Sequence, residues 1–251
     1  MSKRTVAVVD ADGHVVEPVD MCETYLAPEY KHRRPKLIED SWGTPRMLID
    51  NMLNQRGPGY DCGNPDGWLV GSGADRLTGA SDPHTRIKDM DTDGPIDIAV
   101  LFPSLMAVAP ALWDSKFQAA LCRAYNNWVA DLCAAYPDRL KAVIVPPMNE
   151  VHAAIAEIHR CRNKSSAFVG IVIPSNIHGK NLGSFRASVK ATRLEQAFKS
   201  RSSMSCGTRS ISKAVSALRT CSWLDSCFGG RDLNSAPRGK EGDPTLTGEN
   251  S

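Results

Sequence analysis

The chain has 251 residues, 42% of them hydrophobic and 23% charged, with a formal net charge of +2, which is room for one large α/β domain or two small ones. So small a charge gives no reason to expect nucleic acid or a membrane surface as a partner, and no stretch approaches the roughly 20 apolar residues of a membrane span. The eight cysteines form no CxxC pair and Val6 to Val9 is too short for the apolar core of a secretory signal, so reduced thiols in a soluble, cytoplasmic protein are expected.

Val6-Ala7-Val8-Val9 reads as a short buried strand that ends in Asp10-Ala11-Asp12-Gly13-His14-Val15-Val16-Glu17-Pro18. An aspartate and a histidine two positions apart at the C-terminal end of a strand can point to the same side of the backbone. A carboxylate oxygen of Asp12 and an imidazole nitrogen of His14 are then candidate ligands of one divalent metal, zinc or manganese, with its other positions open. The same spacing suits an acidic strand-to-loop turn with a hydrogen-bonded histidine, and Glu17-Pro18 is read as shaping the loop.

From about Tyr25 to Asp89 the chain is poorly periodic and rich in Pro, Gly and Arg, which predicts a long excursion. Gly63-Asn64-Pro65-Asp66-Gly67-Trp68 is a strong turn signal within it. Order returns at Ile96-Asp97-Ile98-Ala99-Val100-Leu101-Phe102-Pro103, an apolar β-branched run closed by proline and expected as a buried strand. A helix follows, opened by Ser115 and Gln118 at capping-box spacing and carrying Phe117, Leu121, Ala124, Trp128 and Leu132 along one face, with Pro137 stopping it.

Leu140 to Val145 is the next strand. Asn149 is expected to cap a second helix, with Val151, Ala154, Ile155, Ile158 and Cys161 facing inward. Phe168-Val169-Gly170-Ile171-Val172-Ile173-Pro174 gives a further buried strand. Strand–helix–strand–helix–strand with short links predicts right-handed βαβ crossovers and a parallel sheet.

After Gly183 the texture changes. Eleven of the 30 Lys and Arg and six of the 28 Asp and Glu lie from Ser184 onward, a surplus of five positive charges, so the first 183 residues carry a net −3. Serine dominates, all six histidines lie earlier, and Ile211, Val215 and Leu218 allow one short amphipathic helix. From Ser235 the polar, Gly- and Pro-containing composition predicts disorder.

Asp12-Gly13-His14 with Glu17-Pro18 resembles the amidohydrolase-related family that includes aminocarboxymuconate-semialdehyde decarboxylase and the resorcylate-type decarboxylases. Further pieces fit in order: Tyr25-Leu26-Ala27-Pro28-Glu29-Tyr30, Arg86-Ile87-Lys88-Asp89-Met90-Asp91, Val100-Leu101-Phe102-Pro103-Ser104, Cys122-Arg123-Ala124-Tyr125-Asn126-Asn127-Trp128, Pro137-Asp138-Arg139-Leu140, and Asn176 with Gly179-Lys180-Asn181-Leu182-Gly183. The resemblance runs from about residue 6 to 183. It implies an α/β fold, a TIM-type (β/α)8 barrel of which the chain holds the first four βα units, followed by an irregular tail over 184–251. It also implies a divalent metal, with Asp12 and His14 as two of its ligands, and hydrolysis or decarboxylation of a small carboxylated or cyclic substrate.

In the family a fifth-strand histidine and a last-strand aspartate complete the metal site. Neither can be mapped here, because the family pattern would continue past Gly183 into a helix and four more strand–helix units. The expectation is that the reading frame or gene is disrupted just after Gly183, leaving an enzyme half or a non-catalytic fragment that partners an intact homologous chain. Half a barrel exposes strand edges and apolar surface, so poor solubility or dependence on a partner, including another copy of the chain, is the physical expectation. No residue is assigned a direct catalytic role.

Weaker patterns are set against blander readings. Asp89-Met90-Asp91-Thr92-Asp93-Gly94 starts like a calcium loop but places Val100 where a bidentate glutamate is required, so a helix end leading into the second strand is preferred. Gly71-Ser72-Gly73 has no strand before it and is read as a loop. His178 is read as a surface loop residue, and Cys206, Cys221 and Cys227 as incidental thiols. The basic tail has no recognisable nucleic-acid module.

Overall fold

The computed structural model describes residues 7–18, 20–39, 41, 45–50, 52–53, 78–92, 94, 96–174, 176–177, 180–181 and 193–199. Its centre is a four-stranded, all-parallel sheet of β1 (Val9–His14), β5 (Ile98–Phe102), β6 (Leu140–Ile144) and β7 (Phe168–Ile171), in that spatial order. The central strands are near-continuous apolar runs, as strands covered on both faces must be. Val100, Leu101, Leu140, Ala142, Val143 and Ile144 are all fully buried. Two long helices make the crossovers: α4 (Ser115–Ala134) between β5 and β6, and α5 (Val151–Lys164) between β6 and β7. Strands adjacent in space and consecutive in sequence, joined by helices, are the repeating unit of a TIM-type barrel wall.

The apolar face expected on α4 is the observed one. Phe117, Leu121, Ala124, Trp128 and Leu132 are buried, with Tyr125 and Val129 beside them. Its cap differs. Asp114 is the N-cap, and its carboxylate accepts from the backbone N–H of Lys116 (2.9 Å) and Phe117 (3.1 Å), so Ser115 and Gln118 form no capping box. Gln118 is fully buried and works across loops: its Nε2 donates to the carbonyls of Pro110 (2.8 Å) and Leu112 (3.0 Å), and its Oε1 accepts from Asn149 N–H (2.9 Å). Asn149 likewise does not cap α5, whose N-cap is Glu150. Its amide instead donates to the carbonyls of Leu112 and Trp113. Both side chains satisfy loop carbonyls that no helix or sheet would pair.

The first strand is displaced from its expected position. Val8 and Val9 are 41% and 36% exposed, and the strand runs from Val9 through the acidic motif to His14. Pairing with β5 fixes this register: Val9 faces Ile98 and His14 faces Phe102. The polar Asp10-Ala11-Asp12 stretch is strand because β5 offers it backbone partners on one side, which an apolar-run criterion does not detect.

The excursion after α1 (Met21–Tyr25) is also more ordered than its composition suggests. A 3-10 helix (Pro28–Arg33) leads to an antiparallel three-stranded sheet of β2 (Lys36–Glu39), β3 (Pro45–Ile49) and β4 (Met52–Leu53). Arg33 ties this excursion to the start of α4. Its guanidinium donates to Asp50 (2.6 Å) and Asp114 (2.7 Å) and lies 4.3 Å over the Phe117 ring. The chain returns through α2 (Thr78–Ser81) and α3 (Pro83–Thr92), so Asp89 and Asp91 lie on the last turns of a helix before the second strand of the barrel wall. A small antiparallel pair, β8 (Asn176–Ile177) with β9 (Lys180–Asn181), follows β7. Residues 193–199 are helical, with Leu194, Ala197 and Phe198 buried at helical spacing. The turn signal at Gly63–Trp68, Gly71-Ser72-Gly73, His178, the cysteines from Cys206 onward and the tail beyond residue 199 lie outside the described residues.

Polar clamps hold the helices on the sheet. Fully buried Asn126 of α4 donates to Val145 C=O (3.0 Å) and to Glu157 Oε1 on α5 (2.9 Å), while its Oδ1 accepts from Val145 N–H (2.9 Å). Burial alone would raise the Glu157 carboxyl, but hydrogen bonds from Arg160 and Asn126 outweigh it and hold the group below the usual carboxylate range. Asn126→Ala would strand both backbone groups of Val145 and take one of its donors from the buried Glu157 carboxylate, whose Oε1 keeps Arg160 at 2.6 Å. The expected loss is about 3 kcal/mol of stability, read as a drop in the urea midpoint at unchanged slope.

Candidate functional site

The C-terminal ends of the parallel strands are where an α/β barrel builds its sites, and Asp12 and His14 stand at that end of β1. Between Asp10 and Gly13 the pairing slips: three residues of β1 span the two steps from Ala99 to Leu101, a β-bulge. Asp10 folds back over it, its Oδ1 accepting from Asp12 N–H at 3.0 Å. Position 13 is glycine for a steric reason. A Cβ there would sit 3.0 Å from Asp10 Oδ2 and 3.2 Å from the Val100 carbonyl oxygen. Bulges of this kind re-aim side chains beside functional sites.

The two candidate ligands face each other. Asp12 Oδ1 and His14 Nε2 are 3.9 Å apart, and their side chains are 75% and 35% exposed. The pair is therefore open to solute while its histidine is anchored. Two donors bonded to one ion at about 2.0–2.2 Å with ordinary angles lie roughly 3.0–3.4 Å apart, so a small rotation of the exposed Asp12 closes the gap.

The imidazole is set by its other nitrogen. Nδ1 lies 3.1 Å from the Pro103 carbonyl oxygen and 3.3 Å from Ser104 Oγ. A carbonyl only accepts, so that hydrogen bond places the proton on Nδ1 and turns the Nε2 lone pair toward Asp12. A metal-binding histidine needs this arrangement. The backbone is pinned too: the His14 carbonyl accepts from the Arg86 guanidinium of α3, and Val15 N–H donates to Phe102 C=O at 3.0 Å. Burial pushes the Arg86 guanidinium down from its ordinary value, while Asp10 and Asp89 oppose that shift.

The loop that holds Nδ1 is itself held by Glu17, whose side chain is almost wholly buried. Its Oε1 accepts from the N–H groups of Ser104 and Met106 (3.2 Å each), and its Oε2 accepts from Leu105 N–H at 2.8 Å. These are the first amides of a 3-10 helix, Leu105–Ala111, where unpaired N–H groups favour an anion. Burial raises the Glu17 carboxyl to about 7, against the lowering effect of those amides and its own. Sequence spacing marks Asp12 and His14, but it does not show what Glu17 binds, because its partners lie 87 to 89 residues away.

Two donors are fewer than the four or more a tightly bound zinc or manganese takes. Among the described residues no three of His, Cys, Asp and Glu come together as a metal site. The four described cysteines, Cys22, Cys122, Cys133 and Cys161, are buried, and burial pushes each thiol up, which makes them poor ligands and nucleophiles. No helix among the described residues is long and apolar enough to cross a membrane.

Comparison with known proteins gives the family and the fold. The family model described as Amidohydrolase matches residues 9–195. A gamma-resorcylate decarboxylase of Rhizobium radiobacter is 36% identical over 89 residues, covering 36% of this chain and 26% of that enzyme. This chain thus matches about a quarter of the length of that curated relative. Among solved structures, an amidohydrolase from Mycobacterium avium subsp. paratuberculosis K-10 superposes with a TM-score of 0.55 at 18% identity, over 78% of this chain and 58% of that one. A 5-carboxyvanillate decarboxylase from Novosphingobium aromaticivorans, complexed with manganese and 4-hydroxy-3-methoxy-5-nitrobenzoic acid, gives 0.50 at 21% identity, over 77% and 48%.

The raised Glu17 carboxyl has a measurable consequence. Folded chain keeps this proton up to about pH 7, whereas the unfolded chain releases it near 4.5. Stability from this group is therefore full below about pH 4.5 and falls as pH rises toward 7, by roughly 3 kcal/mol in all. Glu17→Gln removes that slope. Its stability relative to the native chain should climb across this window in urea titrations run at several pH values.

Proposed function

The chain belongs to the amidohydrolase family, and from that premise we propose that it descends from, and retains half the metal site of, a metal-dependent hydrolase or decarboxylase of a small carboxylated or cyclic compound. The observation that supports this most directly is the facing pair of Asp12 Oδ1 and His14 Nε2 at the C-terminal end of β1, 3.9 Å apart with the histidine tautomer set by Pro103. Asp12 and His14 would hold a divalent ion, zinc or manganese. Manganese, which the carboxyvanillate decarboxylase holds, is the first to test.

A bound ion would supply Lewis-acid polarisation of a substrate carboxylate or carbonyl oxygen, or a bound water of lowered pKa. The protein's own part is positional. Glu17 and Ser104 fix the loop behind His14, Arg86 fixes its backbone, and the exposed Asp12 keeps a rotational freedom that lets it adjust to a ligand. In the proposed organisation residues 1–183 form the N-terminal part of the barrel and 184–251 a separate tail. The substrate is a small molecule, with neither nucleic acid nor membrane as partner, in a cytoplasmic setting.

A second reading is favoured by one observation: no third donor joins the pair among the described residues. In it the chain is non-catalytic, a fragment or a partner of an intact homologous chain that carries its own complete site.

Metal content of purified chain, measured by elemental analysis after dialysis against manganese and then zinc, separates the two. The enzyme reading predicts stoichiometric metal that falls to background in Asp12→Ala/His14→Ala, together with carbon dioxide release from a carboxylated phenol such as 2,6-dihydroxybenzoate. Folded, metal-free protein without turnover would establish the non-catalytic reading.

A further inference from the structure

Three features of the site bear on a residue that neither the family motif nor the donor pair marks as functional. Glu17 is buried as deeply as the core, yet it carries a polar carboxyl group. A buried carboxyl group, neutral or ionised, is costly unless hydrogen bonds replace its hydration. Here three consecutive backbone amides, Ser104, Leu105 and Met106, do so from one short loop. The same loop presents the Pro103 carbonyl and Ser104 Oγ to His14 Nδ1. Carboxylate, loop and imidazole therefore form one chain of contacts, which begins three residues after His14 and returns to its ring.

We propose that Glu17 is a positioning residue for His14: by gripping the amides of Ser104, Leu105 and Met106, it holds the Pro103 carbonyl where it fixes the Nδ1–H tautomer and aims Nε2 at Asp12. This rests on the reading of Asp12 and His14 as metal donors, and extends it to the residue that orients one of them. The coupling is geometric. The 3-10 helix Leu105–Ala111 would otherwise begin with unpaired amides and no side-chain cap on Ser104, leaving its first turn free to shift. A shift of a few tenths of an ångström at Pro103 would lengthen the 3.1 Å contact that selects the tautomer. Arg86 and the Val15–Phe102 hydrogen bond hold the His14 backbone by other routes, so loss of Glu17 should free the ring and leave the strand in place.

The test is imidazole 15N NMR on the full chain, metal-free, labelled at its six histidines, with His14→Gln assigning the His14 signals. Native chain at about pH 8, where neutral imidazole dominates, should show His14 as the single Nδ1–H tautomer. In Glu17→Gln and Glu17→Ala the His14 signals should move toward the tautomer mixture of free histidine, while the signals of His84, His152 and His159 stay put. A destabilised but correctly folded core would not produce that selective change. Manganese affinity, measured separately, should fall about 10- to 100-fold. Unmoved His14 signals in a Glu17 variant whose Ser104–Met106 amides have lost hydrogen-exchange protection would overturn the proposal. Should Glu17→Ala not fold, the same comparison is read from Glu17→Gln. Because the NMR readout needs no metal, a chain that fails to bind manganese would defeat the metal-site reading and still leave the positioning claim to be judged.

Discussion

The geometry of the site depends on one buried carboxylate. Glu17 leaves β1 just past His14, turns into the core, and meets three backbone amides at the exit of β5. Because each of those amides would be unpaired at the start of a helical turn, and because a buried carboxylate cannot do without donors, the two groups fix each other. The C-terminal ends of β1 and β5 are thereby locked in register above their last ladder pair, His14 with Phe102. Asp12 and His14 are held on a bulge that a glycine makes sterically feasible.

A separate set of polar contacts secures the rest of the sheet and its helical cover. Arg139, at the start of β6, donates to the carbonyls of Asp97 (2.7 Å) and Ile96 (2.9 Å) and to the Asp91 carboxylate (2.7 Å). Asn126 and Glu157 clamp α4 to α5 and to the end of β6. Arg33 fastens the antiparallel excursion to the start of α4. Asn126, Arg139 and Asp91, which stand in the motifs that mark the family, are thus clamps of the fold.

Sequence made β5, β6, β7, α4 and α5 legible, because each is long and strongly periodic and its apolar residues meet one core. It misplaced β1, whose valines are exposed and whose strand is mostly Asp-Ala-Asp-Gly-His, held by pairing with Ile98–Phe102. Composition also hid β2 to β4 and the helical residues 193–199. The caps failed for a related reason: Ser115 and Asn149 have good capping chemistry, but Asp114 is better placed, and Asn149 is drawn to the Leu112 and Trp113 carbonyls. Asp12 and His14 were readable as neighbours because a two-residue spacing on a strand is local. Glu17 was readable only as a loop residue, since its role is defined by amides nearly ninety residues on.

The proposed metal site makes Asp12 and His14 one donor pair at the open end of β1. Paramagnetic broadening by added manganese tests it most directly, with histidine and backbone signals followed together in the full chain. Substoichiometric manganese should first broaden His14, Asp12 and the loop from Pro103 to Met106, leaving His84 and His152 sharp. Broadening centred elsewhere, or none at manganese concentrations well above the chain's, would contradict it.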